Sequence, residues 1–203
     1  MAYSDFTSVS QLEEQFGLTQ RKVRLFPDVA PVTPSSVLQN DLNESAVVPL
    51  LTEKAKSEFL IVPVFKELLR RNRHAISIFS GYNFDVAPQQ GLVGFCDYLF
   101  STETQSIDIK APVFCIVEAK NRAVEEGLAQ AGASMLAAAL FNERKGVDTP
   151  AIYGCVTTAY EWVFLRLQGN VLDIDIIQRY SLEAHSLPYL LGVLQHIVDQ
   201  FLD

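Results

Sequence analysis

Along residues 52–71 the apolar positions Phe59, Val62, Phe65 and Leu69 recur at helical spacing, which predicts an amphipathic helix. Pro63 inside it predicts a kink, because proline gives up an amide donor. The pattern then changes to short extended runs at residues 75–80, 92–100, 112–119, 151–157, 162–168 and 171–178, each bounded by Gly, Pro, Asn or charged turns. An Ala-rich helix is predicted over residues 121–142, with Leu128, Leu136 and Leu140 among its larger apolar members, and an amphipathic helix over 186–202. Upstream, residues 8–17 read as a short capped helix ending at Gly17, followed by a connector through Pro27, Pro31, Pro34 and Pro49.

This order implies an α/β fold, a sheet with helices packed on it. The run at 112–119 is apolar at nearly every position, so it is expected to be a central strand covered on both faces. Residues 1–49 are expected to form an N-terminal helix and Pro-rich lead-in, and residues 50–203 a single domain holding the core. Gly127 and Gly132 in the Ala-rich helix imply a close contact, against the sheet or along a homodimer seam.

Composition narrows the class. The chain has 203 residues, 49% hydrophobic and 20% charged, enough for one well-buried domain. No apolar run reaches the ~18 residues of a membrane span, so no bilayer crossing is expected. The start, Met1-Ala2-Tyr3-Ser4-Asp5, has no basic and apolar secretory pattern, which places the expected location in the cytoplasm. Cys96, Cys115 and Cys155 lie in apolar runs without metal-ligand spacing and read as buried thiols. The net charge of −8 means that the overall field does not attract nucleic acid. Arg70, Arg71, Arg73 and His74 form a local basic run at a predicted helix end, where such residues complement the dipole or meet an anion.

Chemistry gathers at the ends of two strands. Folding residues 102–111 as a hairpin about 106 and 107 sets Asp97 nearly opposite Glu118 on the neighbouring strand. Two carboxylates delivered by buried runs repel one another and call for a cation. Side chains alternate along a strand, so Glu118 and Lys120 share one face, and the Ala119 carbonyl can supply a third oxygen. Such hard ligands suit magnesium or manganese rather than zinc. In this arrangement the ion acidifies a water and neutralises a phosphate, while Lys120 positions the water or stabilises developing charge. Glu58, one turn before Val62, is a further candidate through an intervening water. Gln130, flanked at four-residue spacing by Glu126 and Ser134, is placed to reach the same pocket from the Ala-rich helix.

Acid-x-Lys occurs also at Asp108-Ile109-Lys110 and Glu143-Arg144-Lys145, but only the copy at Glu118 ends a buried strand with an acid in hairpin register. His74, His185 and His196 have no serine or cysteine partner at nucleophile spacing.

These residues resemble the PD-(D/E)XK nuclease superfamily, whose restriction-endonuclease-like core runs helix, three strands, helix, strand. Asp97 matches its first acid, Glu118-Ala119-Lys120 its E-x-K, Glu58 its first-helix acid and Gln130 a glutamine often found on its second helix. The stretch from Tyr153 to Trp162, in which Thr ends one strand and Trp opens the next, is similar to the strand-turn-strand of type I restriction motor subunits. Cys96 stands where the family name has Pro, and Ser134 where one branch carries Tyr. The resemblance implies a three-layer core with a mixed β-sheet flanked by helices. Its implied activity is magnesium- or manganese-dependent hydrolysis of DNA, by a homodimer if both strands are cut. The competing expectation is a catalytically inactive member of the same fold that binds or assembles with protein, which the acidic charge favours.

Overall fold

The computed structural model describes residues 1–202; Asp203, the last residue of the expected domain, lies outside them. Seven strands, β1 (Thr19–Lys22), β2 (Ser77–Asn83), β3 (Phe95–Ser101), β4 (Val113–Ala119), β5 (Ile152–Thr157), β6 (Trp162–Gln168) and β7 (Val171–Ile174), form one sheet in the order β1-β7-β6-β5-β4-β3-β2. The pairs β1 with β7 and β4 with β5 are parallel and the rest antiparallel, so the sheet is mixed. The helices are α1 (Val9–Phe16), α2 (Ser36–Ser45), α3 (Glu53–Lys56), α4 (Val62–Arg71), α5 (Leu128–Arg144) and α6 (Leu187–Asp199).

Two apolar layers sandwich the sheet. Leu38 of α2, Val64, Phe65 and Leu68 of α4 and Leu190 and Leu194 of α6 share one core with Phe100, Val117 and Phe164. On the other side Leu12 of α1 and the alanines of α5 pack on Leu99, Ile116, Val156 and Leu165. The protein is therefore an α/β three-layer fold. All seven residues of β4 are buried, as a central strand requires. The crossover from β4 through α5 to β5 is what makes those two strands parallel.

The N-terminal residues are not a lead-in to a core that starts later. Tyr3, Phe6, Leu12 and Leu18 belong to one apolar layer, Phe26 and Leu38 to the other, and Tyr3 Oη donates to the Phe84 carbonyl at 2.5 Å. The segment also supplies β1, exposed at all four positions and therefore without a hydrophobic alternation to read. Backbone pairing to β7 holds it, together with Arg21, whose guanidinium donates to Asp173 at 2.7 and 3.0 Å. The strand expected over 171–178 stops at Ile174. There buried Asp175 turns the chain by accepting from the Leu25 and Gln178 amides, each at 2.9 Å.

The first long helix is interrupted as the proline predicts, by a π-helical turn at Ser57–Ile61 between α3 and α4. The carbonyl of Phe59, four residues before Pro63, has no Pro63 amide to accept from, and the buried Ser45 hydroxyl lies 2.8 Å away to serve it. The glycine contacts of α5 are internal rather than a dimer seam. A Cβ on Gly132 would meet Leu12 Cδ1 at 2.6 Å, and one on Gly127 would meet Val156 Cγ1 at 2.6 Å.

Two buried carboxylates set the acid behaviour. Burial alone would push Asp173 upward, but Arg21 and Arg166 overcome it and hold the carboxyl below its usual range. Burial likewise opposes Glu67, which the Ser35 hydroxyl and then Arg70 and Arg71 hold down. Arg71 also donates to the Thr33 carbonyl, so this end of the basic run ties the Pro-rich segment to α4. A carboxyl whose pKa is lower folded than unfolded stabilises the fold above the unfolded value, and that stability is lost as pH falls through the folded one. Urea unfolding should accordingly show stability dropping below about pH 4. Asp173→Asn should flatten that limb and lower stability at neutral pH by about 2 kcal/mol; an unchanged acid limb would show that the pairs contribute nothing.

Candidate active site at the ends of β3 and β4

The hairpin register brings the two expected acids together. Tyr98 pairs with Val117, Leu99 with Ile116 and Phe100 with Cys115, so the next step along the ladder sets Asp97 against Glu118. Beyond Tyr98 a side chain takes over from the backbone: the Ala119 amide donates to Asp97 Oδ2 at 2.7 Å. On the other edge of β4 the Lys120 amide donates to the Thr157 carbonyl at 2.8 Å, continuing the parallel ladder with β5.

Glu118 has no exposed surface. Gln130 Nε2 donates to its Oε2 at 2.8 Å, Ser134 Oγ lies 3.4 Å from its Oε1, and Lys120 Nζ is 3.8 Å from Oε2. Lys120 Nζ donates in turn to Gln130 Oε1 at 2.9 Å, so the glutamine links cation to carboxylate with both ends of its amide. Gln130 and Ser134 are one helical turn apart on α5 and reach Glu118 from the same face. Gly127 permits this approach, since a Cβ there would lie 3.1 Å from Lys120 Cε. Burial first, and then the neighbouring Asp97 charge, push the Glu118 carboxyl well above its ordinary range, while Lys120 and Ser134 pull it back only in part. The site therefore holds a buried acid whose ionised form is under-compensated.

Of the residues expected here, Asp97, Glu118, Lys120 and Gln130 converge. Ala119 gives its amide to Asp97 and places its side chain in the opposite layer. Glu58 is not among them. Its side chain is 56% exposed, stands 3.9 Å from Lys54 Nζ, and borders a groove with Asp41, Glu44 and Lys66. Glu53 approaches instead: burial, followed by the Asp97 charge, raises its pKa, and Lys120 and Lys56 act in the opposite direction. The π turn accounts for the exchange, because its extra residue rotates everything before it relative to α4, and a count back from Val62 selects the wrong acid. Glu53 is the first residue after the N-cap Thr52, whose hydroxyl accepts from the Ala55 amide at 3.1 Å. An acid at that position is commonplace for dipole reasons, which hides it from a motif search.

The mouth carries mixed charge. Lys56 Nζ donates to the Asn121 carbonyl at 2.6 Å, while Arg179 joins Glu125 at 2.7 Å and also bonds Glu161. Arg70 and Arg71 of the expected basic run are committed to Glu67. Among the described residues no three His, Cys, Asp or Glu side chains cluster closely enough to hold an ion by themselves, and no helix is long and apolar enough to cross a membrane. No family model matches the chain, and no curated protein matches it.

The under-compensated acid has a measurable signature. A carboxyl with a raised folded pKa stabilises below its unfolded pKa and loses that contribution as pH rises toward the folded value. In metal-free buffer Glu118→Gln should therefore melt higher than the wild type at pH 8 and close to it at pH 5. Equal melting temperatures at both pH values would show that Glu118 carries no such strain.

Proposed function

We propose that the chain is a divalent-metal-dependent nuclease hydrolysing phosphodiester bonds in DNA, on a restriction-endonuclease-like core. The observation that carries this reading is the buried Glu118 beside Asp97 with Lys120 held 3.8 Å away through Gln130. The structural ion pairs of this fold, at buried Asp173 and Glu67, each set two arginines on one carboxylate and hold its pKa down, whereas Glu118 has a single lysine at 3.8 Å and is pushed up. The Glu118 site also contains a second acid and spends a glutamine on fixing the lysine.

The donor set fits magnesium or manganese: Asp97 and Glu118 supply hard carboxylate oxygens, and the Ala119 carbonyl and water complete the set, with Glu53 close to Asp97 and Lys120. When bound, such an ion supplies Lewis acidity and lowers the pKa of a coordinated water. Lys120 has three ammonium donors and gives one to Gln130 Oε1, leaving the others to orient the attacking water and meet charge on the phosphate oxygens. Gln130 keeps that ammonium in register with Glu118, so it is a positioning residue. The hydrolysis takes place inside the cell, and a homodimer supplies two such sites where both strands are cut.

A second reading, a catalytically inactive module of the same fold that binds protein, draws on the net charge of −8 and the mixed walls of the mouth. Incubation with duplex, single-stranded and branched DNA separates the two. The nuclease reading expects cleavage with magnesium or manganese that chelation abolishes, a loss of about 100-fold or more in Asp97→Ala and Lys120→Ala, and a smaller loss in Gln130→Ala. Magnesium should also raise the melting temperature of the wild type and not of Glu118→Gln. No cleavage of any of these substrates, with no magnesium-induced stabilisation, would leave the binding module.

A further inference from the structure

The turn between β5 and β6 holds a non-glycine residue in the left-handed region. Ala159 is buried at a φ of 72°, a region that costs a non-glycine residue energy. Four hydrogen bonds hold it there. The Ala159 amide donates to Thr157 Oγ1 at 2.9 Å, that hydroxyl donates to the Glu161 carbonyl at 2.9 Å, the Thr158 amide donates to the same carbonyl at 3.0 Å, and Trp162 Nε1 donates to the Ala159 carbonyl at 2.8 Å. The side chain presented by this rigid turn is Tyr160, 52% exposed, whereas Trp162 two residues on is fully buried.

Tyr160 stands next to the candidate site. Thr157, where the turn begins, accepts from the Lys120 amide, and Asn121, the residue after Lys120, accepts at 2.6 Å from Lys56, whose ammonium lies 5.6 Å from the Tyr160 ring centroid. One lysine side chain thus separates the aromatic ring from the strand end that carries Lys120. Tyr160 also borders an open groove of about 570 Å³ lined by leucines, among them Leu42, Leu60 and Leu182, together with Asn43 and Ser45, with room for a nucleobase.

On the nuclease reading given above, we propose that Tyr160 and the adjoining groove receive an unpaired nucleobase of the substrate strand while Lys56 contacts its phosphate, so that the site takes single-stranded or frayed DNA in preference to intact duplex. Charge decides between these substrates. A molecule at −8 gains little from the long-range attraction that holds paired DNA on basic proteins. Stacking of a base on an aromatic ring is a short-range, uncharged attraction and is open only to a base free of its partner. Lys56 adds one cation beside the ring, with donors left after Asn121 takes one.

The test is fluorescence anisotropy with the full chain in calcium, a cation for hard-oxygen sites, each probe being confirmed uncut by gel after the measurement. The probes are a labelled oligothymidylate, its duplex with oligoadenylate, and an abasic strand of equal length. The oligothymidylate should bind more tightly than either of the others. Tyr160→Ala should lose about tenfold on it and nothing on the abasic strand, and Tyr160→Phe should retain wild-type binding. Wild-type affinity in Tyr160→Ala, or an equal loss on the abasic strand, would overturn the proposal. Base-dependent binding through Tyr160 without magnesium-dependent cleavage would instead overturn the nuclease reading and keep the stacking site. Cleavage that requires Lys120 yet shows neither strand preference nor Tyr160 dependence would do the reverse.

Discussion

The constraint on which this structure depends is the cost of placing the Glu118 carboxylate beneath the surface at the end of a central strand. β4 is buried along its whole length because α5 covers one face and α4 and α6 the other. Any polar group it delivers must find partners within those layers. Gln130 and Ser134 on α5, Lys120 on the same strand, and Gly127 and Gly132, which let α5 approach, all answer that requirement. They answer it incompletely, since Asp97 raises the Glu118 pKa further. A buried acid left short of compensating charge raises the cost of ionising it, and the strand end tolerates that cost because the layers on both sides are otherwise closely packed.

A second constraint, the missing amide of Pro63, shapes the wall of the same site. The π turn and the Ser45 hydroxyl on the Phe59 carbonyl absorb the defect. The turn also places Ser57 where its hydroxyl bonds Tyr98, the residue after Asp97, and turns Glu53 rather than Glu58 toward the acids. A helix irregularity thus sets which carboxylate of this segment lies near Asp97 and Lys120.

The N-terminal residues complete the architecture from outside the region of the motif. Tyr3, Phe6 and Leu12 fill the layer beneath α5, and β1 and Arg21 close the far edge of the sheet on Asp173. Leu12 packs against Gly132, so the fit of α5 over Glu118 depends on residues more than a hundred positions earlier.

The fold class was legible because its signal is local: apolar runs, their periodicity and the turns between them locate β3 to β6, α1 and α6 to within a few residues, and the C-terminal ends of α4 and α5, although α5 begins at Leu128 rather than at 121. Asp97, Glu118 and Lys120 could be grouped for a related reason, since strand alternation and hairpin register are fixed by counting. What counting could not reach were elements without an apolar period, such as fully exposed β1, and short α2, whose single buried large apolar residue is Leu38. It also could not reach Glu53, because one extra residue in a helical turn changes which side chain faces inward. The exposed Tyr160 beside Lys56 is likewise a product of tertiary structure, set by a strained backbone that no composition reveals. Sequence by itself determined the periods and the pairing of neighbouring strands. Only the packing of distant segments decided depth, helix phase and the surroundings of each charge, because burial and electrostatics depend on what the rest of the chain brings alongside.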